Sequence, residues 1–215
     1  MNDKQRLEIM NLCKQIEKKS GEGSIYSLGS SKAKLNIPKV STCIEDLDTI
    51  IGGGIPQGRI IEIFGPESSG KTSLAFHLSS LYEMCLYIPA EGTFDAERAK
   101  VFGNKPKQLL VYNNEYGEDA LEKAIDFAKA GIPLIIIDSV PFLMPRYDFE
   151  TVVSDTEKDL RIGGVARLLS KTLPPLTKIC ERTGTTLILI NQVRDKMDAM
   201  MFGEKTQTPG KMFAA

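Results

Sequence analysis

The sequence offers one histidine, His77, and four cysteines, Cys13, Cys43, Cys85 and Cys180. No two cysteines form a CxxC, and none has metal-like spacing to the histidine. They read as reduced thiols of a cytoplasmic protein, not as a zinc centre or a disulfide framework. No apolar run approaches the ~18 residues needed to cross a bilayer. The opening stretch, MNDKQRLEIM, is charged and lacks the apolar core of a leader, so no secretion signal is expected. An excess of one charge is also missing: 27 Lys and Arg oppose 28 Asp and Glu, for a net charge of −1. Nucleic acid would therefore have to be met by a local basic patch. What is present is globular in proportion. Of the 215 residues, 42% are hydrophobic and 26% charged, which excludes a disordered or collagen-like chain. The length suits one domain, or one with a short appendage, and can bury about two thirds of the unfolded surface without staples.

Residues 3–19 predict a helix, with Leu7, Met10 and Cys13 recurring at three-residue steps beside Ile9, Leu12 and Ile16. The Gly- and Ser-rich stretch from Ser20 to Ser31 interrupts it. A helix cut off in this way cannot bury its apolar stripe on itself; it must pack on the main domain or on another molecule, and the second is the favoured expectation. From Thr42 onward, strands and helices alternate as in an α/β domain with a mostly parallel sheet. Strands are expected at Arg59–Phe64, Met84–Ile88, Leu109–Tyr112, Pro133–Asp138 and Thr185–Asn191. The last two are unbroken apolar runs, as in central strands covered on both faces. Helices are expected at Lys71–Tyr82, Glu97–Phe102, Glu118–Ala130 and Asp159–Leu173, with Pro174–Pro175 ending or kinking the last.

Gly65–Thr72 reads GPESSGKT, a match to GxxxxGK[ST] between a predicted strand and a predicted helix. The glycines let successive N–H groups turn toward a phosphate, and the new helix adds its positive N-terminal end. In this pattern the cradle comprises Gly65, Pro66, Glu67, Ser68, Ser69, Gly70, Lys71, Thr72 and Ser73. Lys71 reaches the β- and γ-phosphates of ATP, and the Thr72 hydroxyl holds Mg²⁺. Asp138 closes the strand PLIIID, where an acid can hold the metal through water. Glu91 follows the strand MCLYI on the same sheet edge, placed to activate the attacking water. Gln192, after TTLILIN, can bond the γ-phosphate and report its loss to the loop beyond. His77, two turns into the helix after the loop, reads as a packed or surface residue, not a ligand.

These segments resemble the bacterial and phage-type RecA recombinases. The similarity runs in one order through QIEKKSGEGSIYSLG (15–29), GGGIPQGRIIEIFGPESSGKTSL (52–74), AEGTFD (90–95), YGEDALE (116–122), IIIDSV (135–140) and LILINQVR (187–194). It extends from about residue 3 to the end. The resemblance implies a P-loop NTPase fold of RecA type: a mostly parallel central sheet flanked by helices, preceded by an N-terminal helix. Residues 1–31 would form a protomer-docking helix and linker, and 32–215 an ATPase core incomplete at its C-terminus. Glu91 would be the catalytic carboxylate, acting with Lys71 and Gln192. Asp95 and Arg98 would contact the adenosine, and Thr72 and Asp138 the Mg²⁺. Two segments, about 148–164 and about 194–211, match the DNA-binding loops. There Arg161, Arg167, Arg194, Lys196, Lys205 and Lys211 would face phosphates, with Ile162, before Gly163, and Met197 between bases. The implied activity is DNA-dependent ATP hydrolysis in a helical homo-oligomeric filament on single-stranded DNA. That filament would pair and exchange strands with double-stranded DNA during repair, with an SOS repressor as a further partner.

The sequence departs from the family pattern at several points. The helix after the phosphate loop is shorter than usual. Pro89 replaces an aspartate, Arg98 a tyrosine and Pro174 an arginine, and TPGK carries one glycine where a pair is usual. The chain ends where another core strand is expected, so it reads as a truncated form. Two other readings remain at this point: a non-catalytic filament-binding module, and a RecA-fold ATPase acting on a partner other than DNA.

Overall fold

The computed structural model describes residues 1–21, 23–29, 37–92, 94–153 and 164–193. The chain separates into two compact units, residues 1–38 and 39–215. The boundary expected at 31/32 falls outside the described residues.

In the first unit, α1 spans Asp3–Ser20. Its start is set by a reciprocal cap: Asn2 Oδ1 accepts from Gln5 N at 2.9 Å, and Gln5 Oε1 accepts from Asn2 N at 3.1 Å. Two otherwise orphaned amides are thereby satisfied. Asp3 in the first turn and Lys18 and Lys19 in the last oppose the helix dipole. The helix buries none of its residues. Leu7, Ile9, Met10 and Leu12 are each more than half exposed, so the predicted stripe is present and uncovered.

The second unit begins with an antiparallel pair that the sequence pattern did not announce, β1 (Lys39–Val40) against β2 (Ile55–Pro56), with α2 (Glu45–Ile50) between them. Two-residue strands are too short to show a period. The Asp48 carboxylate ties the connection together. It accepts from Ser41 Oγ at 2.6 Å, Thr42 Oγ1 at 2.7 Å and Thr42 N at 2.9 Å. These bonds, the Ser41 hydroxyl first, hold its pKa below the usual carboxylate value.

The main sheet has five parallel strands in the order β3 (Ile60–Gly65), β7 (Thr186–Gln192), β6 (Leu134–Asp138), β4 (Cys85–Pro89) and β5 (Leu109–Val111). Helices α3 (Lys71–Ser80), α4 (Ala96–Val101), α5 (Gly117–Lys129), α6 (Arg146–Val153) and α7 (Gly164–Thr183) complete the unit. Side chains alternate between two cores. Leu86, Ile88, Ile135, Ile137, Leu187 and Leu189 pack with α5 and α7. Cys85, Tyr87, Leu134, Ile136, Ile188 and Ile190 pack with α3 and Ala99 of α4. Both faces are covered, so the central strands carry no polar alternation. Each buried Leu or Ile contributes about 1.5–3 kcal/mol relative to exposure.

The strands and shorter helices lie within a residue or two of their expected bounds. Two elements differ. Pro174 and Pro175 do not end α7, which continues to Thr183. Leu169, Leu176 and Cys180 are buried along its inner face, whereas both prolines are exposed. Packing of that stripe on α5 outweighs the missing donors, because solvent can hydrate the carbonyls that the prolines release. In addition, the segment expected to open a DNA-binding loop at about 148 lies within α6 up to Val153.

Candidate nucleotide site

The phosphate loop connects β3 to α3. Its final glycine, Gly70, adopts φ 90° and ψ 10° as the N-cap of α3, a left-handed conformation that glycine adopts without penalty. Gly65 approaches the other side of the loop so closely that a Cβ there would lie 3.0 Å from Ser69 Oγ. Lys71 Nζ folds back over the turn, donating to Gly65 O at 3.0 Å and Pro66 O at 2.6 Å. The ammonium is thus held above the cradle by acceptors of the loop itself, the position from which it can transfer to a phosphate oxygen.

The parallel register carries the remaining groups to the same rim. Gly65 pairs with Gln192, and Pro89 with Asp138. Glu91 N donates to Asp138 O at 3.2 Å, which places the Glu91 and Asp138 backbones side by side. A cleft of about 530 Å³ opens here. It is lined by Glu67, Ser68, Gly70, Lys71, Thr72, Ser73, Glu91, Arg98, Asp138, Ser139, Ile190 and Gln192. A neighbouring pocket of about 200 Å³ is lined by Tyr87, Pro89, Phe94 and Asp95 and shares Thr72, Glu91, Arg98 and Asp138 with the cleft. The structure therefore brings together the residues that the sequence assigned to phosphate, metal, water and sensor from four separate strand ends.

Thr72 Oγ1 donates to Asp138 Oδ2 at 2.8 Å, joining the phosphate loop to the strand-end acid. Asp138 is 6% exposed, and among the described residues its buried Oδ1 has no hydrogen-bond partner, as is true of Ser139 Oγ. Buried polar atoms left unpaired call for a ligand, ion or water. A hard cation that keeps most of its waters fits this donor set: one hydroxyl, one carboxylate at the cleft, and phosphate oxygens from a nucleotide. The residues present thus suit Mg²⁺.

The remaining sequence candidates divide. Arg98 Nη2 donates to Ser73 Oγ at 2.7 Å, beside the cradle. Asp95 caps α4, accepting from Arg98 N at 2.9 Å. His77 Nε2 donates to Thr42 O at 2.7 Å, a structural tie; the sequence reads it as a packed or surface residue. Arg167 lies exposed on α7. Arg161, Ile162, Gly163, Arg194, Lys196, Met197, Lys205 and Lys211 lie outside the described residues.

One group at the site escaped the sequence reading. Tyr87, in the middle of β4, donates its hydroxyl to Asp138 Oδ2 at 2.6 Å. Burial, and next the Asp138 charge, push its pKa well above the usual phenol value, so it remains a donor. The only sequence signal was a hydroxyl within an otherwise apolar strand.

Comparison with known proteins agrees with this geometry. Residues 7–214 match the RecA N-terminal domain. The chain is 42% identical over 203 residues to a protein named Protein RecA from Sulfurimonas denitrificans, covering 92% of this chain and 57% of the relative. It is 38% identical over 216 residues to Protein RecA of Campylobacter jejuni, covering 98% and 62% respectively. The Chlamydia muridarum protein of the same name is 40% identical over 202 residues, covering 91% and 56%. The chain thus spans somewhat more than half the length of these relatives. A match that runs through the phosphate loop, both strand-end acids and the rim glutamine makes this chain a member of the RecA family.

Proposed function

We propose that the chain is the nucleotide-binding core of a recombination ATPase. It binds ATP with Mg²⁺, hydrolyses it in response to single-stranded DNA and works in a filament that pairs that strand with a homologous duplex in repair. The observation that carries this reading is the Thr72–Asp138 bond. It joins the phosphate loop to a buried acid with one unpaired oxygen, in a cleft that also holds Glu91 and Gln192.

In this reading each residue has a distinct task. The loop amides from Glu67 to Ser73 and the N-terminus of α3 hold the phosphates. Lys71 leaves its two carbonyl partners and pairs with the β- and γ-phosphate oxygens. Thr72 and Asp138 hold the metal, which supplies neutralisation of phosphate charge when bound. Glu91 accepts a proton from the water that attacks the γ-phosphate. Gln192 bonds the γ-phosphate and passes its loss into the segment after Val193. Asp95 and Arg98 bound the adenosine side of the pocket, with the Arg98 guanidinium available to stack on the base. Arg161, Arg167, Arg194, Lys196, Lys205 and Lys211 pair with DNA phosphates, with Ile162 and Met197 between bases. Residues 3–19 dock on a second copy of the chain, the occupant that suits the uncovered stripe of α1. Promotion of SOS repressor cleavage and action in the cytoplasm belong to the same proposal. Among the described residues, no helix is long and apolar enough to cross a membrane.

The test is the rate of ATP hydrolysis with and without single-stranded DNA. Stimulation by DNA is the expected result. Turnover indifferent to DNA would favour an ATPase acting on another partner, and nucleotide binding without turnover would favour a passive filament module.

A further inference from the structure

We propose that Tyr87 is a positioning residue for the metal-bearing carboxylate. Its hydroxyl holds the Asp138 carboxylate in a fixed plane at the rim of the phosphate cleft, both donors, Tyr87 and Thr72, engaging Oδ2. The inference rests on the reading of that cleft as a Mg²⁺-nucleotide site.

The geometry is asymmetric. Asp138 Oδ2 accepts two hydrogen bonds, from Tyr87 at 2.6 Å and from Thr72 at 2.8 Å, while Oδ1 accepts none among the described residues. The terminal torsion of an aspartate is broad and roughly two-fold. A single donor would leave the group free to turn about that bond, whereas two donors arriving from different elements define its plane. Thr72 belongs to α3, which follows the phosphate loop, and Tyr87 to β4 of the sheet. The second donor is rigidly supported. The Tyr87 ring stacks on Phe76 at 5.1 Å and meets Phe94 edge-on at 5.4 Å, and the residue is 2% exposed. A buried phenol with one partner and a fixed ring can do little except hold that partner.

The consequence concerns metal affinity more than nucleotide affinity. The loop amides and Lys71 grip phosphate without help from Asp138, so nucleotide binding in the absence of metal does not depend on the Tyr87 hydroxyl, which is bonded to Asp138. Outer groups that orient a metal-holding carboxylate set how tightly the metal is held. Tyr87→Phe retains the ring, its stacking and the Thr72 bond, and removes only the second donor.

The experiment titrates Mg²⁺ into the full chain with a fluorescent ATP analogue, for the parent, Tyr87→Phe, Asp138→Asn and the double variant. Circular dichroism of each checks the fold. Tyr87→Phe is expected to raise the Mg²⁺ midpoint on the order of ten-fold, while affinity for the analogue in EDTA stays at the parent's value. In the Asp138→Asn background, the same change should shift nothing further, because the carboxylate it orients is gone. An unchanged midpoint, an equal loss in EDTA, or a shift that persists beside Asp138→Asn would overturn the assignment. If the parent chain itself bound the analogue with no response to Mg²⁺, the site reading would fall, and the role of Tyr87 with it.

Discussion

Gly54 shows how narrowly a single position can be constrained. Its φ is 117°, and a Cβ there would lie 2.3 Å from the Val40 carbonyl oxygen. Gly54→Ala should cost on the order of 3 kcal/mol, from backbone strain and overpacking together, readable as a lower denaturation midpoint. Lys71→Ala should behave in the opposite way. Among the described residues its ammonium bonds only to two loop carbonyls, so thermal stability should be nearly unchanged while binding of a fluorescent ATP analogue is lost. Asp48 adds a pH dependence. Its pKa is lowered by the Ser41 and Thr42 donors, so its contribution to stability is present above the ordinary value of 3.8 and fades as the pH falls through the folded-state value. Asp48→Ala should therefore be less stable than the parent at neutral pH, and the two denaturation curves should converge in strong acid. Lys71, Thr72, Glu91 and Asp138 were legible in the sequence because a phosphate loop and strand-end acids announce themselves by local order. Tyr87 was not, because its partner lies 51 residues away and nothing in CLYIP distinguishes a hydroxyl aimed at a carboxylate from one aimed at solvent.

Among the elements, α7 departs furthest from its sequence reading. Proline removes a donor and disfavours the helical conformation of the preceding residue, which is why the pattern up to Leu173 reads as ending there. The apolar spacing nevertheless continues through Leu176, Ile179 and Cys180, onto the core shared with α5. That tertiary packing decides the outcome. The cost of the prolines remains, so Pro175→Ala should restore a bond to the Lys171 carbonyl and raise stability by about 1–3 kcal/mol, measured by chemical denaturation. The central strands posed no such conflict. Four consecutive Ile and Leu residues ending in Asp or Asn suit only a strand covered on both sides. The pairing of β1 with β2 was invisible for the reverse reason: two residues carry no period, and the connection is held by the side chain of Asp48, six and seven residues from its partners.

Across the whole molecule, the order β3, β7, β6, β4, β5 converts linear sequence into one active rim. Every strand of this sheet is parallel, so the residues just beyond their C-terminal ends gather on one edge whatever their separation in the chain. This rule made the site readable before the strand order was known. The order itself, with β7 inserted between β3 and β6, is not encoded in any local pattern. The uncovered stripe of α1 bears on assembly. Replacing Leu7 and Met10 together by Asp should lower the sedimentation coefficient of concentrated protein without changing its thermal midpoint, since neither side chain is buried. A final consequence comes from Gly65. Its carbonyl is shared by the Lys71 ammonium and by the Val193 amide at 3.3 Å. When Lys71 departs for a phosphate, that oxygen is left to Val193 alone. The peptide proton at position 193 becomes a native reporter: its exchange with deuterated solvent should slow on nucleotide addition, at the threshold of the segment proposed to grip DNA.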